Sequence, residues 1–293
     1  MQQELFSTSA GSNLRPLGVF DSGLGGLTLV RALRNILPNE RIVYLGDTAR
    51  VPYGIKSPAT VIRFAEDDAR FLLGFSPKLI VVACNTASSL ALEALHVKLP
   101  VPALGVVEPG AQAAVQASSK KRIAVIGTEA TVASNAYPKA ITALEPDAEV
   151  IQEACPLLVP IVEEGRDPED PIVAAILQEY LRPLLAAEPD VLLLACTHYP
   201  LLERTITKIA GPAVRVIDSA TQAALAVKKL LAENSLLAAR ETCPEPEFYV
   251  TDNPQRFRQV GERFLQAPLA RVSLLSLDVL MSDNNSIPVQ RGA

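Results

Sequence analysis

Residues 79–89 read LIVVACNTASS. The unbroken apolar run over 79–83 has no polar alternation, which is the pattern of a strand buried on both faces. Cys84 stands where that run stops. Asn85, Thr86, Ser88 and Ser89 can cap a helix start, and LALEAL follows them. A thiol so placed faces the positive end of the helix's peptide dipoles, which favours its thiolate. Residues 191–201, VLLLACTHYPL, repeat the pattern: an apolar strand, Ala-Cys, then Thr197 and His198. Two such units predict two similar halves, each offering one thiol to a shared site.

Working outward, 17–20 is a first strand, followed by DSGLGG and a helix carrying Leu27, Val30, Leu33 and Leu37 at helical spacing. The glycines at 23, 25 and 26 fall as G-x-G-G, not as the G-x-G-x-x-G of a dinucleotide site, and suit a small carboxylate held at a helix start. RIVYLGD (41–47) is a second strand, and the Pro- and Gly-bearing loop TARVPYGIKSP follows it beside the expected place of Cys84. A helix over 58–74 leads into the Cys84 strand, and 100–107 gives a fourth strand closed by Glu108-Pro109. The series then restarts. RIAVIGTEATVASNAY mirrors the opening unit, with Thr128 and Thr131 in place of the glycine loop, and later come a strand AEVIQEAC, a helix over 172–187, the Cys196 strand, AVRVID and a long helix.

This alternation predicts an α/β fold of two pseudo-symmetric, doubly wound parallel-sheet domains with the active site in the cleft between them. The boundaries expected are a disordered lead-in over 1–16, a discontinuous first domain of 17–107 plus 218–266, a second domain of 108–217, and a tail over 267–293. FYVTDNPQRFRQVGERFL adds one strand and one helix near the end.

The net charge of −5 gives no basic footprint for nucleic acid. No apolar run approaches the length needed to span a bilayer, and the first sixteen residues hold no secretory signal, so a cytoplasmic location is expected. The four cysteines show no C-x-x-C spacing and are expected as free thiols, with Cys155 and Cys243 as small core hydrophobes. A homodimer is expected.

Cys196 with His198 could form a nucleophilic pair, or two Cys and one His could ligate zinc. No equivalent His follows Cys84, however, and neither a fourth ligand nor a close-spaced pair is present. Two equal thiols suit a racemase: one removes a proton from one face of a carbon while the other returns a proton to the opposite face. A non-catalytic, two-lobed amino-acid binder is the competing class, but it has no use for two strand-end cysteines.

VFDSGLGG, GDTARVPYG, VVACNTAS, GTEATVAS at 127–134, CPLLVPIVEEG and LLACTHYPLL, taken together, resemble the cofactor-independent aspartate/glutamate racemase family. The likeness runs over about 17–231, and FYVTDNP fits the family's later region. The NTAS and THYP flanks are closer to the glutamate branch, with aspartate as the alternative substrate. The resemblance implies catalytic cysteines at Cys84 and Cys196, with Asp21, His198 and Glu163 assisting. It implies a substrate site of Asp21, Ser22, Pro52, Tyr53, Gly54, Asn85, Thr86, Thr131, Thr197 and His198. It implies glutamate as substrate, no cofactor and no metal, and a role in supplying D-glutamate for peptidoglycan. Asp21 could orient Cys84 or accept the substrate's ammonium group; both remain open at this point.

Overall fold

In a computed structural model, residues 12–239 and 244–282 are described. The first half of the chain runs β1 (Leu17–Asp21), α1 (Leu27–Ile36), β2 (Ile42–Gly46), α2 (Pro58–Leu73), β3 (Leu79–Val82), α3 (Asn85–Lys98), β4 (Ala103–Gly105) and α4 (Val107–Ala117). The second runs β5 (Arg122–Gly127), α5 (Glu129–Ser134), α6 (Ala136–Leu144), β6 (Glu149–Ala154), α7 (Leu158–Glu164), α8 (Pro171–Leu185), β7 (Val191–Ala195), α9 (Glu203–Ala210), β8 (Arg215–Asp218) and α10 (Ser219–Glu233). The chain then returns through β9 (Glu247–Val250), α11 (Pro254–Leu265), β10 (Val272–Leu274) and α12 (Leu277–Met281).

Two sheets result, ordered β10-β9-β2-β1-β3-β4 and β6-β5-β7-β8, with every pairing parallel. The inner order β2-β1-β3-β4 matches β6-β5-β7-β8 strand for strand. β3 and β7 therefore hold equivalent places; Cys196 follows β7 directly, and Cys84 follows β3 after Ala83. The carboxyl ends of such strands are where open α/β sheets bind their ligands.

The strands β1, β2, β3 and β7 are buried along their whole length, as their apolar runs require, with Asp21 buried at the end of β1. Helix starts follow the capping residues. Ser57 Oγ accepts from Thr60 N with Pro58 at the first helical position, Asp170 accepts from Ile172 N, and Asp218 accepts from Thr221 N. One apolar cluster is continuous from Leu27 and Val30 of α1, through Ala223 and Val227 of α10, to Leu192 and Leu194 of β7. Each Leu or Val fully buried there contributes about 1.5–3 kcal/mol. Among the described residues no helix is long and apolar enough to cross a membrane.

Three expectations are corrected. The fourth strand is only Ala103–Gly105, because α4 begins at Val107 and takes Glu108 and Pro109 into its first turn, where proline is tolerated. The lead-in is docked from Ser12 onward: Arg15 donates to Ser76 O and Pro77 O, both at 2.7 Å, and Lys78 Nζ donates to Asn13 O at 2.7 Å. The tail from Ala267 carries β10, which extends the first sheet beyond β9, and α12. Residues 1–11, 240–243 (with Cys243) and 283–293 lie outside the described residues.

Candidate active site

A cavity of about 480 Å³ lies at the carboxyl ends of both sheets. Its wall is drawn from both halves: Ser22, Gly23, Pro52, Tyr53, Gly54, Cys84, Asn85 and Thr86 on one side, and Thr128, Pro160, Glu163, Cys196, Thr197 and His198 on the other. Both thiols thus meet one space, and both are nearly buried.

Cys84 is the N-cap of α3, its sulfur accepting from Ala87 N at 3.5 Å and lying 3.6 Å from Ser22 Oγ. The helix end, however, does not make it a thiolate. Burial, with the charge of Asp21 added, outweighs the hydrogen bonds from Ala87 and Ser22 and pushes the Cys84 thiol up to about 12. Asp21 is fully buried, its Oδ2 accepting from Gly23 N at 3.0 Å while Oδ1 has no hydrogen-bond partner among the described residues. Burial raises its pKa, against the lowering effect of His198 and the backbone N–H groups of Gly23 and Gly26.

Cys196 has a different neighbourhood. His198 Nδ1 stands 3.9 Å from its sulfur and 3.4 Å from Thr197 Oγ1, while Nε2 is 3.0 Å from Glu163 Oε1. Burial disfavours the imidazolium, but Cys196 and Glu163 together outweigh it and push His198 up to about 10. Glu163 moves the opposite way. Burial works against its charge, and the hydrogen bond and charge of His198, with Arg256 behind them, still hold its carboxyl below the usual range.

Hydroxyl and amide groups are fixed by contacts that cross between the halves. Thr86 Oγ1 lies 2.9 Å from Thr128 Oγ1 and 3.3 Å from Thr131 Oγ1. Asn85 accepts from Tyr137 OH at 2.5 Å and donates to Ser219 Oγ at 3.2 Å. Thr28 Oγ1 donates to Thr197 O at 3.1 Å.

Most of the residues expected at the site line the cavity, but Asp21 and Thr131 stand behind its wall. Tyr53 presents its body to the cavity, yet its hydroxyl is turned into a buried cluster, donating to Asp47 Oδ2 at 2.5 Å and lying 3.0 Å from Asp68 Oδ2. Arg50 joins the same cluster through Asp47, Asp67 and Asp68. Tyr53 therefore anchors the Pro52–Gly54 turn. The glycine loop is corrected in part: Gly23 faces the cavity, whereas Gly25 lies against Thr197 and His198 and lets the two halves approach.

Sequence reasoning missed Arg256, a cation on the cavity wall. Thr128, read only as a counterpart of the glycine loop, also lines the cavity, and Tyr137 and Ser219 behind Asn85 were missed. The Asn253-Pro254 helix start could have indicated Arg256, since it puts residue 256 in the first turn of α11. Tyr137 gives no comparable signal. Among the described residues no group of three or more His, Cys, Asp and Glu is arranged to hold a metal ion.

Two matched parallel sheets that close on a cavity with one thiol from each define a two-lobed α/β enzyme fold. The chain belongs to the Asp/Glu/hydantoin racemase family, a family of isomerases, whose model matches residues 27–227. It is 47% identical to a glutamate racemase of Syntrophus aciditrophicus over 264 residues, covering 90% of this chain and 97% of that one. Among solved structures it is similar to a glutamate racemase isoform of Bacillus anthracis, with TM-score 0.87, 39% identity, and 90% and 98% of the two chains covered. It is similar also to the glutamate racemase of Francisella tularensis in complex with D-glutamate, with TM-score 0.84, 42% identity, and 91% and 99% covered.

Proposed function

We propose that this protein interconverts L- and D-glutamate by proton exchange at the α-carbon, with Cys84 and Cys196 acting on opposite faces. One observation carries the proposal: two buried thiols, at the ends of equivalent strands of two matched sheets, line a single cavity. The similarity to glutamate racemases, one of them in complex with D-glutamate, supports glutamate as the substrate.

From L-glutamate, Cys196 as thiolate takes the α-proton, and the electron pair left behind delocalises into the α-carboxylate. The Cys84 thiol delivers its own proton to the opposite face, giving D-glutamate with Cys84 as thiolate and Cys196 as thiol. The reverse turnover or exchange with solvent resets the pair. The assignment of direction follows the family resemblance; the geometry adds His198 Nδ1 at 3.9 Å from the Cys196 sulfur, a neighbour that Cys84 lacks, and burial pushes the Cys84 thiol up. His198 offsets negative charge at Cys196, and Glu163 keeps the imidazole oriented.

Asp21, buried behind Cys84 and off the cavity wall, is assigned to Cys84 as its proton partner and not to the substrate ammonium. Ser22, Asn85, Thr86, Thr197, the turn Pro52–Gly54 and the amino end of α3 are assigned to the carboxylates, with Thr131 fixing Thr86. No pyridoxal phosphate, nicotinamide or metal takes part. The lobes are assigned as 17–107 with 218–266, and 108–217, and the active species as a cytoplasmic homodimer supplying D-glutamate for peptidoglycan.

The test is circular dichroism of an L-glutamate solution given pure, chelator-treated protein. Ellipticity should decay to zero, and a D-glutamate solution should reach the same end point. Decay with aspartate alone would move the assignment to the sister substrate. Binding without decay would replace the enzyme by a two-lobed binding protein.

A further inference from the structure

The two thiols have unequal supports, and the difference leads to α11. This helix follows β9 of the first sheet, yet three of its side chains reach the other lobe. Arg256 NH2 lies 3.8 Å from Glu163 Oε2. Arg263 NH2 donates to Val162 O at 2.6 Å, at the carboxyl end of α7. Phe264 meets the His198 ring edge-on, with 5.1 Å between ring centres. The fit at Arg263 depends on Gly165. That residue has φ +81°, and a Cβ there would fall within 1.7 Å of the Arg263 guanidinium. The chain stops α7 with the one residue type that tolerates both conditions.

Glu163 therefore has its two oxygens engaged from two lobes, Oε1 by His198 and Oε2 by Arg256. His198 in turn presents Nδ1 to Cys196. Cys84 is backed differently: its sulfur meets Ser22 Oγ and Ala87 N, with Asp21 behind it, and among the described residues no imidazole or ion pair reaching across the lobes supports it.

We propose that Arg256 is a positioning residue for the Cys196 half of the reaction: reaching across from the first lobe, it holds Glu163 so that His198 stays aligned on the Cys196 sulfur. The array Arg256–Glu163–His198–Cys196 draws on both lobes, so the support of one thiol depends on how the lobes meet. This rests on the assignment of Cys196 as an acid–base group.

Racemisation alone cannot test it. The equilibrium constant between enantiomers is one, so kcat/KM must change equally in both directions. Elimination from a glutamate bearing a β-leaving group requires proton removal from one face only, and each enantiomer reports one thiol. Arg256 is more than half exposed, so Arg256→Ala should fold. Its elimination rate should fall about fivefold, the scale of an exposed ion pair, with the enantiomer that Cys196 deprotonates, and stay level with the other. Arg256→Lys should restore most of the rate.

The acid limb of the affected pH profile should also move up, because Glu163 loses a facing cation while keeping His198, with Asp21 as the other charged group nearby. A change equal for both enantiomers, or no change for either, would overturn the proposal. Cys196→Ser is run alongside. If that variant shows no enantiomer preference, the assignment of Cys196 has failed; if it does while Arg256→Ala does not, only the role of Arg256 has.

Discussion

Replacing Gly25 by alanine tests how the two lobes meet. The added Cβ would lie 2.2 Å from Thr197 Oγ1 and 2.5 Å from both Cε1 and Nδ1 of His198. Neither neighbour yields easily: both are buried, and His198 is held through Nε2 by Glu163. Relief needs a displacement of about 1 Å at the second lobe's loop. Overpacking of that kind costs about 1–3 kcal/mol. Gly25 does not have positive φ. The alanine therefore gains part of the usual unfolded-state advantage of about 0.4–1 kcal/mol, leaving a net loss of about 1–2 kcal/mol.

The kinetic effect should be larger. A 1 Å misplacement at a reacting group can lower the rate by about a hundredfold. Gly23→Ala is the stability control, since its Cβ would find only Val51 Cγ1 at 3.7 Å. Urea unfolding midpoints and initial rates of racemisation read out both variants. A Gly25→Ala protein as stable as the parent, with kcat/KM within about twofold, would refute the close approach of the lobes at this point.

Other outcomes follow from the same geometry. Tyr137→Phe removes the buried donor to Asn85 Oδ1, and should cost about 1–2 kcal/mol in urea unfolding and raise KM with little change in kcat; an unaltered KM would free Asn85 from the substrate. Cys84, held up to about 12 against an ordinary 9.0, should react with iodoacetamide at pH 8 about a thousandfold more slowly than a free thiol. Peptide mapping that finds ordinary reactivity there would contradict the buried, protonated Cys84. His198 has a folded pKa of about 10 against 6.5 unfolded. A raised base stabilises the fold fully below pH 6.5 and loses that contribution as pH rises through about 10. The stability gap between the parent and His198→Asn should therefore narrow from pH 7 toward pH 10, and a gap independent of pH would argue against a charged imidazole.

The places of both cysteines were legible because each ends an apolar run and is followed by capping residues, a signal confined to a few neighbours in sequence. That the chain would form two similar halves was legible for the same reason, since the second unit restates the first; the strand order within each sheet was not. What the chain does not reveal locally depends on residues far apart. The helix end alone favours a Cys84 thiolate, and only folding shows that burial and Asp21 reverse this. Tyr53 sits in a motif that points to the substrate, yet its hydroxyl is held by Asp47 and Asp68. Arg256 reaches Glu163 across the lobes, about ninety residues away; the Asn253-Pro254 helix start places Arg256 in a first turn but does not name its partner. The strand β10 is three residues long with Leu274 exposed, too short for a periodicity to register.

The central claim is that the two thiols serve opposite faces of one carbon. Elimination from each enantiomer of a β-leaving-group glutamate, catalysed by Cys84→Ser and by Cys196→Ser, tests it most directly. A serine hydroxyl is far less acidic than a thiol, so each variant loses one base and keeps the other. Cys84→Ser should retain elimination from the L-enantiomer alone and Cys196→Ser from the D-enantiomer alone, with racemisation abolished in both. Equal loss with both enantiomers in both variants would contradict the two-base account.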